Sequence, residues 1–163
     1  MQDSLNVTII QTHLAWENPI ENRSHFDTLL TSLKDTHLVV LPEMSTTGFT
    51  MNAEQASEIS EGETLAWLQQ WAKRINAAIT GSVAVNENGN YYNRLYFVCP
   101  DGSFKTYDKK HLFTLANEHH TYNAGKERLI VEYLGWKICP LVCYDLRFPV
   151  WARNTEDYDA FIY

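Results

Sequence analysis

Short apolar runs and helix-spaced stripes alternate along this chain. Leu5-Asn-Val-Thr-Ile-Ile-Gln11 clusters β-branched residues and predicts a first strand, closed by the turn-like Trp16-Glu-Asn-Pro19. From Pro19 to Leu33, apolar Phe26, Leu29, Leu30 and Leu33 recur at three and four, which predicts an amphipathic helix with Asn18 as its N-cap. Leu38-Val-Val-Leu41 is wholly apolar, as a strand covered on both faces would be, and Pro42 ends its ladder. Met44 to Gly62 shows no sustained period and is read as a loop. Leu65, Trp67, Leu68, Trp71 and Ile75 then predict a second helix.

Ala78 to Val85 and Tyr91 to Val98 flank the turn-rich Asn86-Glu-Asn-Gly-Asn90, which predicts a hairpin. Asp101-Gly102 marks a second turn, and Phe104 to Tyr107 a third strand that runs into a polar loop carrying Lys109. Arg128 to Tyr133 and Trp136 to Val142 predict two more strands across Leu134-Gly135. Pro149 is expected to open a short helix through Trp151 and Ala152, and Ala160-Phe-Ile-Tyr163 to begin one more strand. This order predicts an α/β fold, helices layered over a largely covered sheet, in one domain spanning 1–163. A core strand only just begun at Tyr163 predicts that further sequence follows it.

Charge narrows the partners. Thirteen basic against twenty acidic side chains leave a net charge of -7, which repels phosphate backbones and argues against nucleic acid. No apolar run approaches the length of a membrane span, and Met1-Gln-Asp-Ser4 lacks a basic leader, so the expected location is the cytoplasm. Cys99, Cys139 and Cys143 are odd in number and form no CxxC pair, which suggests neither a disulfide framework nor a zinc site. His111, His119 and His120 fall in no metal-ligand spacing, so no metal is expected; His111 is read as holding the Lys109 loop by hydrogen bonds.

The chemistry-bearing residues sit at strand ends. Glu43 follows the buried 38–41 run, Lys109 follows the third strand of the meander, and Cys143 stands where Leu141-Val142 leave the sheet. Taken singly, each has a plain reading: a cysteine after an apolar strand is more often a packing residue, and a charge at a strand end is more often solvated. Together, if the ends converge, a carboxylate can take a thiol proton, an ammonium can stabilise thiolate and oxyanion, and a sulfur can attack a carbonyl carbon. Cys99 and Cys139 keep the packing reading. Trp67 and Trp71, one helical turn apart, are read as core, and Arg147 is left open between binding a substrate carboxylate and bracing Asp145 or Glu43.

Three segments carry a resemblance. Leu41-Pro-Glu-Met-Ser-Thr-Thr-Gly-Phe49, Tyr107-Asp-Lys-Lys-His-Leu-Phe113 and Val142-Cys-Tyr-Asp-Leu-Arg-Phe-Pro149 resemble, in order, the three signatures of the nitrilase superfamily. The likeness covers essentially the whole chain, with Leu5 to Gln11 similar to the family's first strand and Asp159 to Tyr163 to the strand after the nucleophile. It departs at Ser45, where a phenylalanine is usual, and in lacking the family's C-terminal part. The resemblance implies a four-layer α-β-β-α sandwich, incomplete at its C-terminus, with Glu43 as general base, Lys109 as the catalytic lysine and Cys143 as nucleophile. It further implies that Glu118 lies near the lysine and helps orient substrate, and that the Tyr144 backbone N–H completes an oxyanion hole. No cofactor is implied. The motif forms look most like those of omega-amidases, which deamidate 2-oxo acid amides such as 2-oxoglutaramate through a cysteine thioester, and a full-length member would be a homodimer. The alternatives are another amidase of the superfamily, acting on an aliphatic amide or carbamoyl compound, and an inactive binding module.

Overall fold

A computed structural model describes residues 3–163; Met1 and Gln2, part of the stretch read as lacking a basic leader, lie outside the described residues. Two sheets carry the fold. The larger takes β1 (Val7–Ile9), β2 (Leu38–Val40), β4 (Ala78–Glu87), β5 (Asn90–Val98) and β6 (Phe104–Asp108) in that spatial order, and the short β3 (Glu58–Ile59) also pairs with β4. The smaller holds β7 (Val131–Tyr133), β8 (Trp136–Pro140) and β9 (Ala160–Ile162).

β1, β2 and β4 run parallel, whereas β5 is antiparallel to β4 and β6 antiparallel to β5. β6 therefore points the same way as β2. The residues that follow them, Glu43 and Lys109, leave the same edge of the sheet although two strands stand between.

Helices α1 (Pro19–Thr31) and α3 (Glu63–Ile75) cover one face. Phe26, Leu30, Leu68 and Trp71 interleave there with Val39, Ile79, Val83 and Tyr96. The opposite face packs on the smaller sheet through Leu38, Val40, Leu95, Phe97, Ile138 and Leu141. Three of the four expected layers are thus present among the described residues, helix on sheet on sheet. Both faces of β2 are covered, which is why it reads as an unbroken apolar run.

Local chemistry sets the element ends. Asn18 accepts from the Glu21 N–H while Glu21 accepts from the Asn18 amide, a reciprocal cap for α1 with Pro19 in its first turn. α1 stops at Thr31, two residues before the expected end, where the Ser32 hydroxyl returns to the Leu29 carbonyl. α3 ends in left-handed Asn76. Trp67 and Trp71 form core as expected, and both indole N–H groups also converge on one Asp27 oxygen. Asn88 and Gly89 both take positive φ, as the tight β4–β5 turn requires.

Other expectations are corrected. The segment 44–62 is not wholly loop: it contains the one-turn helix α2 (Ala53–Ala56) and β3. β1 and β7 are shorter than the runs that announced them, since β-branched composition marks a strand but only a partner's length limits its pairing. The helix expected to begin at Pro149 is absent; a 3-10 turn spans Cys143–Arg147 instead, and 149–152 is a chain of turns. Phe148 precedes proline and is pushed out of helical conformation, at φ -118 and ψ 72, which separates the two.

Gly125 fixes the loop behind β6. Its N–H donates to the Lys109 carbonyl at 2.9 Å, and a Cβ placed on it would lie 2.0 Å from the Asp108 carbonyl oxygen. Gly125→Ala is expected to destabilise the protein by about 2 kcal/mol or more, read as a fall of roughly 4–8 °C in the thermal midpoint. A melt unchanged within a degree or so would contradict this packing.

Candidate active site

Glu43 leaves β2 through Leu41-Pro42, and the chain turns at once because Met44 takes a φ of +45. That unusual conformation is held by Ser82: its hydroxyl accepts from the Met44 N–H at 2.9 Å, and its carbonyl accepts from the Ser45 N–H and hydroxyl. Ser45, the departure from the family pattern, thus fits a small polar pocket. Cys143 is the corresponding feature of the second sheet, at φ +41, which swings its sulfur out of the strand direction.

The ends converge on one ammonium. Lys109 Nζ donates to Glu43 Oε1 at 2.7 Å and to Glu118 Oε2 at 2.9 Å, and both Lys109 and Glu118 are fully buried. Asn93, on β5 between them, donates from Nδ2 to Glu43 at 2.8 Å and to Glu118 at 3.2 Å; the Phe113 N–H reaches Glu118 at 2.6 Å. Burial opposes the lysine charge, yet the two carboxylates outweigh it and hold the ammonium above the usual lysine range. Phe49 presents its ring 5.1 Å from the same nitrogen.

Two carboxylates against one ammonium leave this cluster with a net negative charge, so a thiolate beside it would be a second one. Cys143 is exposed at the cleft, yet partial desolvation of its sulfur, then the charge and hydrogen-bond acceptance of Glu43, push the thiol up to about 11, and Lys109 only partly offsets them. The resting site therefore holds a neutral thiol facing an ion pair, with Lys109 favouring the thiolate but outweighed by burial and Glu43.

Each expected site residue has a definite place. Glu43, Lys109 and Glu118 are in direct contact, and Cys143 faces Glu43. Glu118 stands near the lysine, as expected, fully buried like Lys109 itself and with both oxygens engaged. The Tyr144 N–H has no acceptor among the described residues. Arg147 braces neither candidate partner: Asp145 binds Tyr107, His111 and the Val142 N–H, and Glu43 binds Lys109 and Asn93. His111 does hold the Lys109 loop, through Asp145. Cys139 is buried, and burial pushes its thiol up to about 11.

Asn93 escaped the sequence reading. The signal was present, since an asparagine among Tyr91, Tyr92, Leu95, Tyr96 and Phe97 is a poor strand former and, when buried, needs partners.

A cleft of about 450 Å³ opens beside the strand ends, lined by Glu43, Cys143, Leu41, Leu141, Ile10 and Ile162 among others. Among the described residues, no group of three or more His, Cys, Asp or Glu side chains is placed to hold a metal ion, and no helix is long and apolar enough to cross a membrane. A sulfur, a carboxylate and an ammonium held together in this way can move a proton from thiol to carboxylate beside a fixed positive charge, which is the equipment of acyl transfer.

Comparison with known proteins agrees with that class. Residues 6–163 match the family of carbon-nitrogen hydrolases, and the chain belongs to it. It is 51% identical over 160 residues to omega-amidase YafV of Yersinia enterocolitica, covering 98% of this chain and 62% of that protein. It is 34% identical over 152 residues to the 2-oxoglutaramate amidase of Bacillus subtilis, covering 91% of this chain and 59% of the relative. A crystal structure of a CN-hydrolase superfamily protein from Xanthomonas campestris superposes with a TM-score of 0.93 at 44% identity, over 97% of this chain and 64% of that one. The chain thus spans somewhat under two thirds of the length of these relatives. The fold is that of the nitrilase superfamily.

The thiol geometry has a direct optical consequence. The ultraviolet absorbance of thiolate, wild type minus Cys143→Ala, is expected to rise with a midpoint near 11, above the ordinary 9.0 of a cysteine. By linkage, a thiol whose folded pKa is raised withholds its ionisation from the folded state, so stability falls as pH climbs from the unfolded value toward the folded one. Cys143→Ala removes that loss, and its stability relative to wild type should increase between pH 9.0 and about 11. A midpoint at or below 9.0 would contradict the arrangement.

Proposed function

We propose that this chain is the N-terminal and central part of a single carbon-nitrogen hydrolase domain that cleaves the amide bond of a small 2-oxo acid omega-amide, such as 2-oxoglutaramate, to carboxylate and ammonia. The observation that carries the reading is the Glu43–Lys109 contact at 2.7 Å with the Cys143 thiol facing the same carboxylate. Only a proton transfer separates this resting state from an attacking sulfur.

In the first half-reaction Cys143 Sγ attacks the amide carbon as its proton passes to Glu43. The carbonyl oxygen becomes an oxyanion, met by the Lys109 ammonium and the Tyr144 N–H. As the tetrahedral intermediate collapses, the carbon-nitrogen bond breaks and Glu43 returns the proton to the departing ammonia, leaving a thioester on Cys143. In the second half, Glu43 takes a proton from water, the hydroxyl adds to the thioester carbon, and the thiol leaves with that proton restored. Glu118 and Asn93 keep the ammonium and carboxylate aimed. While Glu43 carries the proton, Glu118 remains as the carboxylate partner of Lys109, so the oxyanion meets the ammonium's positive charge each time.

The substrate class draws on two supports. Relatives of this chain carry the names omega-amidase and 2-oxoglutaramate amidase. Arg147, four residues after the nucleophile, is exposed and its guanidinium has no ion pair among the described residues, which suits it to a substrate carboxylate. A nucleophilic thiol needs reducing surroundings, in keeping with a cytoplasmic location. Exposed apolar Leu146, Phe148 and Val150 beside the nucleophile turn suit a homodimer contact.

The intact protein is expected to release ammonia from 2-oxoglutaramate. Cys143→Ala should abolish release while Cys139→Ala preserves it, and Glu43→Gln should lower kcat by about 10²–10⁴-fold. Arg147→Ala should raise KM for the anionic amide more than for a neutral aliphatic amide. Undiminished turnover by Cys143→Ala would sink the proposal, and a preference for neutral amides or carbamoyl compounds would move it to another amidase of the superfamily.

A further inference from the structure

The Asp145 carboxylate is fully buried two residues after Cys143 and takes no part in the chemistry above. Its oxygens collect four contacts. Oδ2 accepts from the Val142 N–H at 3.1 Å and from the Tyr107 hydroxyl at 2.7 Å; Oδ1 accepts from the His111 N–H at 2.9 Å and meets His111 Nδ1 at 2.7 Å. An ionised carboxylate only accepts, so Nδ1 carries the imidazole proton.

The donors are not scattered. Val142 immediately precedes Cys143, while Tyr107 and His111 stand two residues before and two residues after Lys109. One carboxylate thereby brackets both functional residues, one from each sheet. We propose that Asp145 is a positioning residue that ties the backbone carrying Lys109 to the turn carrying Cys143, so that ammonium and sulfur keep a constant separation while charge develops between them. This rests on the amidase reading given above.

Residue chemistry supports a specific need for aspartate. Burying a carboxylate costs several kcal/mol unless its lone pairs are filled, and here both oxygens are. Asparagine offers one oxygen, so its NH2 would confront two of the four donors. Burial and the Asp145 charge both hold the Tyr107 phenol well above its ordinary range, so it remains a donor at any working pH. The same phenol oxygen accepts from the Lys110 N–H and from the Trp151 indole, and His111 lies flat on Phe148 at 3.7 Å between ring centroids. The tie is thus stiffened on both sides, and the strained φ of +41 at Cys143 has a rigid base to act against.

The test uses Asp145→Asn and Tyr107→Phe in the intact protein, each first shown to melt cooperatively. The readouts are kcat and KM for the amide and the Cys143 thiol titration by ultraviolet difference. Asp145→Asn should lower kcat by about 10²-fold with KM within about twofold, because the tie acts on geometry between reacting groups. Tyr107→Phe, which removes one donor of the four, should lower kcat by less. Glu43, Lys109 and Glu118 are the charged groups that act on the sulfur; loosening the turn moves it away from Glu43. In Asp145→Asn the thiol midpoint should therefore fall from about 11 toward the ordinary 9.0. A folded Asp145→Asn with wild-type kcat and midpoint, or one changed only in KM, would overturn the proposal. Should that variant fail to fold, Tyr107→Phe decides, and wild-type kcat and midpoint there would overturn it equally. Absence of ammonia release by the wild type would instead remove the amidase reading, with the titration still deciding whether Asp145 sets the sulfur's surroundings.

Discussion

A lysine ammonium with no access to water is the constraint around which this molecule is arranged. Taking such a charge out of solvent costs several kcal/mol, recovered only by partners with good geometry. Lys109 finds two, Glu43 and Glu118, which arrive from opposite directions along the chain. Because each partner is itself a charge that needs satisfying, the demand propagates outward. Asn93 serves both carboxylates and the Phe113 N–H serves one, so β2, β5, β6 and the loop after β6 are bound to one another at their ends. Removing Lys109 would leave the fully buried Glu118 carboxylate without its complement.

That electrostatic balance also determines the state of the sulfur. Partial desolvation and the Glu43 carboxylate hold the proton on the thiol despite the nearby ammonium. In the proposed reaction the sulfur then ionises only when a carbonyl carbon is within reach. The proposed oxyanion would then neutralise part of the field of an ammonium that needs no reorganisation, since its neighbours already hold it.

Rigidity comes from the two sheets pressed face to face. Their shared core sets the relative placement of the β2, β6 and β8 ends, and positive-φ residues after β2 and β8 turn Glu43 and Cys143 toward each other. Asp145 extends the same logic across the sheet interface, joining the lysine loop to the Cys143 turn by hydrogen bonds that apolar packing alone could not aim. Packing brings the segments together; buried polar contacts specify their register.

By itself the amino-acid order determined the elements and the chemistry available. Apolar runs at 38–41 and 78–85, the Asn88-Gly89 turn and the Asn18-Pro19 cap have local physical causes, and each produced the element expected of it. The three motifs likewise pointed to Glu43, Lys109 and Cys143. What only the tertiary structure decided was everything that depends on neighbours distant in the chain. Strand direction brought Glu43 and Lys109 to one edge. Asn93 became a bridge, Glu118 was buried against the lysine, and the thiol rested neutral, because field and desolvation at an atom are sums over spatial neighbours, which a linear order of residues does not contain.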